Sequence, residues 1–134
     1  MRLVVPDSSA LLHAFEARDP NPELLKRLEA AQLHAPHLLD VEFLSGLRGL
    51  VRGKKLHPDQ ARDAWHEYED LVIYRYAMTG LADRIWTLRD NFTAYDACYV
   101  ALAEALDCPL VTSDAKLKKA SGHYAEVEVY PSAE

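Results

Sequence analysis

Four acids in this 134-residue chain stand where carboxylates can do chemistry: Asp7, Glu42, Asp96 and Asp114. Asp7 closes the short apolar run Arg2-Leu-Val-Val-Pro-Asp7, and Asp114 follows Pro109-Leu-Val-Thr-Ser. Asp96 falls in the first turn of an Ala- and Leu-rich helix opened by Thr93, and Glu42 interrupts a helix that is apolar almost all the way round. Each has an ordinary structural explanation. Thr93-Ala-Tyr-Asp96 has the form of a capping box, and Thr112, Ser113 or Asp114 suits the start of a last helix. Asp7 suits a cap too, although Ser8 or Ser9 can take that role and leave Asp7 free. Glu42 can pair with an arginine. The joint pattern says more. Two acids after apolar strands, one in a first helical turn and one on a buried helix converge at one sheet rim if those strands are central. Clustered carboxylates repel and cannot all stay ionised without a counter-cation. An oxygen-only donor set without a Cys/His cluster selects Mg²⁺ or Mn²⁺ over Zn²⁺.

The elements that must position them can be read in order. Residues 2–7 suit a central parallel strand, with Pro6 acceptable only near its end. A helix follows over residues 8–17, with Leu11, Leu12 and Phe15 at helical spacing. After the Asp19-Pro-Asn-Pro22 turn, a second helix runs to Ala31, and residues 32–36 form a short strand with His34 and His37 near its end. Residues 37–53 read as a long helix buried on several sides. At about 100° per residue Glu42 projects between Leu38 and Leu39, and its small neighbours Ser45, Gly46 and Gly49 leave room for something to approach it. A helix from His57 carries Ala61, Ala64, Trp65 and Tyr68 inward, and residues 71–76 are a strand. Residues 79–89 are helical, with Leu81, Ile85, Trp86 and Leu88 inward and Arg84 and Arg89 polar. Pro109 stops the Thr93 helix before the next strand. A short basic helix over residues 115–119 and an edge strand over residues 126–130 complete the chain. Strands separated by helices imply an α/β fold with a parallel central sheet covered on both faces, here as one domain over residues 1–134.

Composition narrows the class. An apolar share of 49% is that of a globular protein, and no apolar run approaches the ~20 residues of a membrane span. Two cysteines, Cys98 and Cys108, lie in apolar surroundings and read as buried reduced thiols, which suits a cytoplasmic protein. A net charge of −6 argues against nonspecific coating of nucleic acid. It leaves room for an enzyme whose acids are gathered around cations.

The residues Val5-Pro-Asp7-Ser-Ser-Ala, Glu42 within Leu-Leu-Asp-Val-Glu-Phe-Leu, Thr93-Ala-Tyr-Asp96-Ala-Cys-Tyr-Val-Ala-Leu-Ala-Glu and Leu-Val-Thr112-Ser-Asp114 resemble, together and in this order, the PIN-domain ribonucleases, and specifically the VapC-type toxins of bacterial toxin–antitoxin pairs. The resemblance covers essentially the whole chain. It implies a three-layer α/β/α PIN-like fold and Mg²⁺- or Mn²⁺-dependent hydrolysis of phosphodiester bonds in RNA. Asp7, Glu42, Asp96 and Asp114 would hold the metal, with Thr112 or Ser113 positioning water or a ligand carboxylate. It also implies a structured target such as tRNA or rRNA, a small VapB-like antitoxin that occludes the site, and a homodimer. Many relatives carry another acid or amide shortly after the position of Asp114, where this chain has Lys116, so a second metal would be less well held. Arg48, Arg52, Lys54 and Lys55 read first as a solvated helix end. Beside a nuclease site they become candidate phosphate contacts, together with Lys116, Lys118 and Lys119.

Other classes fit less well. A receiver-type signalling domain needs an acid pair after the first strand and an Asp ending a middle strand, whereas only Asp7 follows strand one and residues 71–76 end without an acid. A noncatalytic RNA- or protein-binding module of the same fold leaves the costly acid cluster unexplained. A housekeeping nuclease would share the site but lack an antitoxin.

Overall fold

The computed structural model describes residues 2–132, so Met1, Ala133 and Glu134 at the ends of the expected 1–134 unit lie outside the described residues. Five strands, β1 (Arg2–Pro6), β2 (Ala31–Pro36), β3 (Ile73–Tyr76), β4 (Leu110–Thr112) and β5 (Val127–Val129), form one sheet in the order β3-β2-β1-β4-β5. Every pairing is parallel. The central strands are the apolar ones. Val4, Val5, Ala35, Leu110 and Val111 have no exposed surface, as parallel strands covered on both faces require.

Seven α-helices connect these strands among the described residues: α1 (Ser8–Glu16), α2 (Pro22–Glu29), α3 (Leu38–Arg52), α4 (Pro58–Glu69), α5 (Ala82–Thr87), α6 (Ala94–Leu106) and α7 (Ala115–Lys119). α1, α3 and α4 pack on one another, while α6 lies along β1 and β2 with α5 against it. An aromatic cluster seals the first group: Phe43 of α3 stacks on Tyr68 of α4 with ring centroids 4.0 Å apart, and Phe15 of α1 meets both edge-on. The result is the expected three-layer α/β/α arrangement. Among the described residues no helix is long and apolar enough to cross a membrane.

Four expectations about burial are corrected. Trp86 is 68% exposed rather than inward, with the Arg89 guanidinium 4.6 Å above its ring. α5 is only six residues long and is flanked by 3₁₀ turns at Thr79–Leu81 and Leu88–Asp90. Its inward stripe runs through Leu81, Ile85 and Leu88, and Trp86 lies about 100° beyond it. Arg84, expected to be merely polar, turns inward to pair with Glu104 through two hydrogen bonds of 2.7 and 2.9 Å. α3 is also less enclosed than its composition suggests: Val41 and Leu44 are exposed. Cys98 and Cys108 are free thiols, half-buried rather than fully buried.

Candidate active site

β1 and β4 are neighbours, with Val5 opposite Leu110 and Pro6 opposite Val111. The chain therefore brings Asp7 and Asp114 to the same carboxyl-end rim, at the point where the strand order switches direction. Asp7 is not left free by a serine cap. It is itself the N-cap of α1, because its Oδ1 accepts from the Ala10 amide at 3.0 Å. Ser9 Oγ donates to the same oxygen at 2.7 Å, and Thr112 Oγ1 donates to Oδ2 at 2.5 Å. Each hydroxyl has a single proton and directs it to Asp7, so the 3.1 Å approach of Ser9 Oγ to Thr112 Oγ1 is a contact without its own proton. Thr112 Oγ1 also accepts from the Asp114 amide at 2.9 Å. Asp114 then caps α7, accepting from the Lys116 amide at 3.0 Å. One threonine thus ties together the backbone and side chain of two acids.

Glu42 and Asp96 come from helices that begin at this rim. α3 starts directly after β2, and α6 must run back to the start of β4, which puts its first turn at the carboxyl ends. Thr93 caps α6 by accepting from the Asp96 amide at 3.2 Å. The return bond of a capping box is missing, and among the described residues the Asp96 carboxylate makes no hydrogen bond. Glu42 is half-buried on α3, and its Oε1 accepts from the hydroxyl of Tyr99 at 2.5 Å. That partner was not found by reading the chain, which gave Tyr99 no role of its own. The signal was its spacing three residues after Asp96, which puts both on one face of α6. One of the small residues near Glu42 has a different explanation from the one expected, while Gly49 does border open space. A Cβ on Gly46 would stand 2.6 Å from Leu12 Cδ2, so Gly46 lets α1 pack against α3 rather than admitting a ligand.

The acids act on one another electrostatically. Burial pushes the Asp7 carboxyl up to about 6 against the hydrogen bonds that lower it, and the Asp96 charge adds to the rise. Asp96 is raised by burial, then by the charges of Glu42 and Asp114. Among the described residues no three Asp, Glu, His or Cys side chains are close enough to form a ligand set by themselves. Like charges hold one another apart, and Tyr99, Thr112 and the Lys116 amide each hold one acid in place. The donor set still fits a hard divalent cation. It is all oxygen, its like charges call for a counter-ion, and it includes Ser113 Oγ, a buried atom with no hydrogen-bond partner among the described residues.

Among the described residues, Lys116 alone of the basic candidates is bonded to one of the acids, and through its backbone amide. Arg48 and Arg52 line a groove between α3 and α4 with Leu44, Leu47, Val51 and Trp65. Lys54, in a left-handed backbone conformation with φ 58°, and Lys55 are exposed beyond the end of α3. Lys116, Lys118 and Lys119 are exposed on α7. Among the described residues no ion pair or side-chain hydrogen bond joins any of these cations to the four acids.

Comparison with known proteins bears on the chain as a whole. The PIN domain model matches residues 4–122. Ribonuclease VapC9 of Mycobacterium tuberculosis is 42% identical over 130 residues, covering 96% of this chain and 99% of that one. Ribonuclease VapC1 of the same organism is 38% identical over 127 residues, covering 93% and 96%. Among solved structures, VapBC2 from Rickettsia felis, bound to a promoter DNA fragment, superposes with a TM-score of 0.69 at 13% identity, over 96% of this chain and 98% of that one.

Proposed function

Because this chain belongs to the PIN-domain family, as a VapC-type ribonuclease, we propose that it is an Mg²⁺- or Mn²⁺-dependent endoribonuclease toxin that cuts RNA at the rim formed by Asp7, Glu42, Asp96 and Asp114. The observation that carries the site is Asp96, whose carboxylate makes no hydrogen bond among the described residues and is raised by burial and then by the charges of Glu42 and Asp114. A carboxylate so placed is stabilised by a cation more than by any group of the fold.

The four acids would hold the metal directly or through water. When bound, the cation lowers the pKa of a bound water and neutralises charge on the scissile phosphate. The chain's own residues do the positioning. Thr112 and Ser9 fix both oxygens of Asp7, and Thr112 fixes the backbone of Asp114. Ser113 Oγ is an uncommitted polar atom available to a water of the site. With Lys116 in place of the further acid or amide that many relatives carry, one metal is the simpler occupancy.

The remaining features follow from the same premise. A small VapB-like antitoxin would neutralise the toxin by covering this rim, and the protein would act as a homodimeric, cytoplasmic single domain over residues 1–134. A structured RNA, tRNA or rRNA, would present its cleavage site as an exposed loop or single strand. Arg48, Arg52, Lys54, Lys55 and Lys116 remain phosphate candidates for the parts of such an RNA that extend beyond the acids.

The test is cleavage of total bacterial RNA by purified, antitoxin-free protein with Mg²⁺ or Mn²⁺ and with EDTA, beside folded Asp7→Asn and Asp96→Asn variants. Discrete fragments that require both metal and carboxylates are expected. Folded protein that binds metal but cuts no RNA would favour a noncatalytic binding role.

A further inference from the structure

Tyr99 is 1% exposed, and its ring is part of the core under α6. Its hydroxyl emerges from that core at the acid rim. There it donates to Glu42 Oε1 at 2.5 Å, and Ser8 and the charge of Asp7 also act on it. One phenol therefore touches or senses residues at the starts of α1 and α3, while Asp96 sits one turn before it on its own helix. Glu42 has little else to hold it. It is half-buried, its carboxylate makes no other hydrogen bond among the described residues, and its three side-chain torsions are free to vary. A second buried phenol shows what such a bond does where it has only a structural role. Tyr68 donates to Asp40 at 2.7 Å, but Asp40 is also held by Arg75 through bonds of 2.8 and 2.9 Å. Asp40 would keep its place without Tyr68. Glu42 has no such reserve.

We propose that Tyr99 is a positioning residue of the acid site: its hydroxyl pins Oε1 of Glu42 so that Oε2 is the oxygen presented to the cation. This rests on the four-acid reading of the site and adds a residue that touches neither the metal nor the RNA. The pin is rigid because the tyrosine ring is locked in the core, so one hydrogen bond fixes a carboxylate that the helix alone leaves mobile. Removal of such an outer partner typically costs about 10- to 100-fold in metal affinity or activity.

The experiment is Mn²⁺ binding by calorimetry, followed in parallel by electron paramagnetic resonance, on the wild-type chain, Tyr99→Phe and Tyr68→Phe. The phenylalanine variants keep the rings and remove one oxygen each. Tyr99→Phe is expected to weaken Mn²⁺ roughly tenfold or more, with Tyr68→Phe unchanged and circular dichroism preserved in both. With RNA, Tyr99→Phe should lose rate at a fixed subsaturating Mn²⁺ concentration and regain most of it when Mn²⁺ is raised. Equal Mn²⁺ affinity in Tyr99→Phe and wild type would overturn this inference alone. Absence of Mn²⁺ binding by the wild-type chain would overturn the site reading and this inference with it. A crystal structure of the wild-type chain with Mn²⁺ decides independently of how the variants fold: Glu42 must keep Oε1 on Tyr99 and turn Oε2 to the metal, and a Glu42 released from Tyr99 would sink the idea.

Discussion

Thr112 Oγ1 donates to Asp7 Oδ2 at 2.5 Å across 105 positions of sequence, and the same oxygen accepts the amide of Asp114. Thr112 is fully buried. Thr112→Val keeps the shape but leaves Asp7 short of a donor and the Asp114 amide without an acceptor. A stability loss of about 1–3 kcal/mol follows from the unmet buried groups, with cleavage down by roughly 10- to 100-fold. Thr112→Ser should restore most of both. Chemical denaturation and initial cleavage rates check the pair.

Asp96→Asn separates activity from stability. Burial and the charges of Glu42 and Asp114 disfavour the ionised form of Asp96 in the folded protein. Removing that charge should raise the melting temperature of the EDTA-treated protein by on the order of a few °C. Cleavage should disappear, and the stabilisation that Mn²⁺ confers on the wild type should shrink. A differential scanning fluorimetry series with and without Mn²⁺ reads all of these except cleavage.

The Arg84–Glu104 pair predicts a response to acid. Burial pushes the Glu104 carboxyl up, but the two Arg84 hydrogen bonds and the Tyr124 amide outweigh it and hold the group below its ordinary value. A carboxyl lowered on folding contributes stability above its unfolded pKa, near 4.5, and loses it as pH falls through the lower folded value. Arg84→Ala should therefore cost on the order of 1–2 kcal/mol at pH 7 and progressively less as the pH falls below 4.5. Urea midpoints across that range measure the difference.

Trp86 and Leu88 make a paired test of α5. Leu88 is 2% exposed, whereas the Trp86 ring lies in solvent under Arg89. Leu88→Ala should cost about 2–5 kcal/mol and Trp86→Ala no more than about 0.5 kcal/mol. Equal losses would place Trp86 in the core after all.

Much of the fold was legible in the chain because its central strands are short, largely apolar runs bounded by Pro and helix caps. Val4-Val5 and Leu110-Val111 could hardly be anything but central, and the alternation of strands with amphipathic helices left a parallel sheet as the consistent arrangement. The acids could be named because each interrupts a local pattern. Their long-range hydrogen bonds could not, since Tyr99 is 57 positions from Glu42 and Thr112 is 105 from Asp7. The cap at the start of α1 stayed open because the local pattern offers three candidates; the structure gives it to Asp7, with Ser9 of α1 and Thr112 of β4 both donating to its carboxylate. Trp86 was misread because a helix of six residues between 3₁₀ turns is too short for periodicity to settle its phase. Gly46 was misread because close packing of two helices and an opening for a ligand call for the same small residue.

The Asp7 cap has a consequence for genetics. On the proposed toxin reading, bacteria selected to survive expression of this protein collect inactivating substitutions, and position 7 offers two unequal kinds. Asn accepts the Ala10 amide about as well as Asp does, is reached by one nucleotide change, and removes the charge alone. Ala or Val removes the charge and the anchor of α1 together. Survivors carrying Asn should therefore still accumulate as full-length protein and compete for the inhibitor, behaving as dominant decoys. Survivors carrying Ala or Val should be cleared by proteolysis and behave as simple nulls.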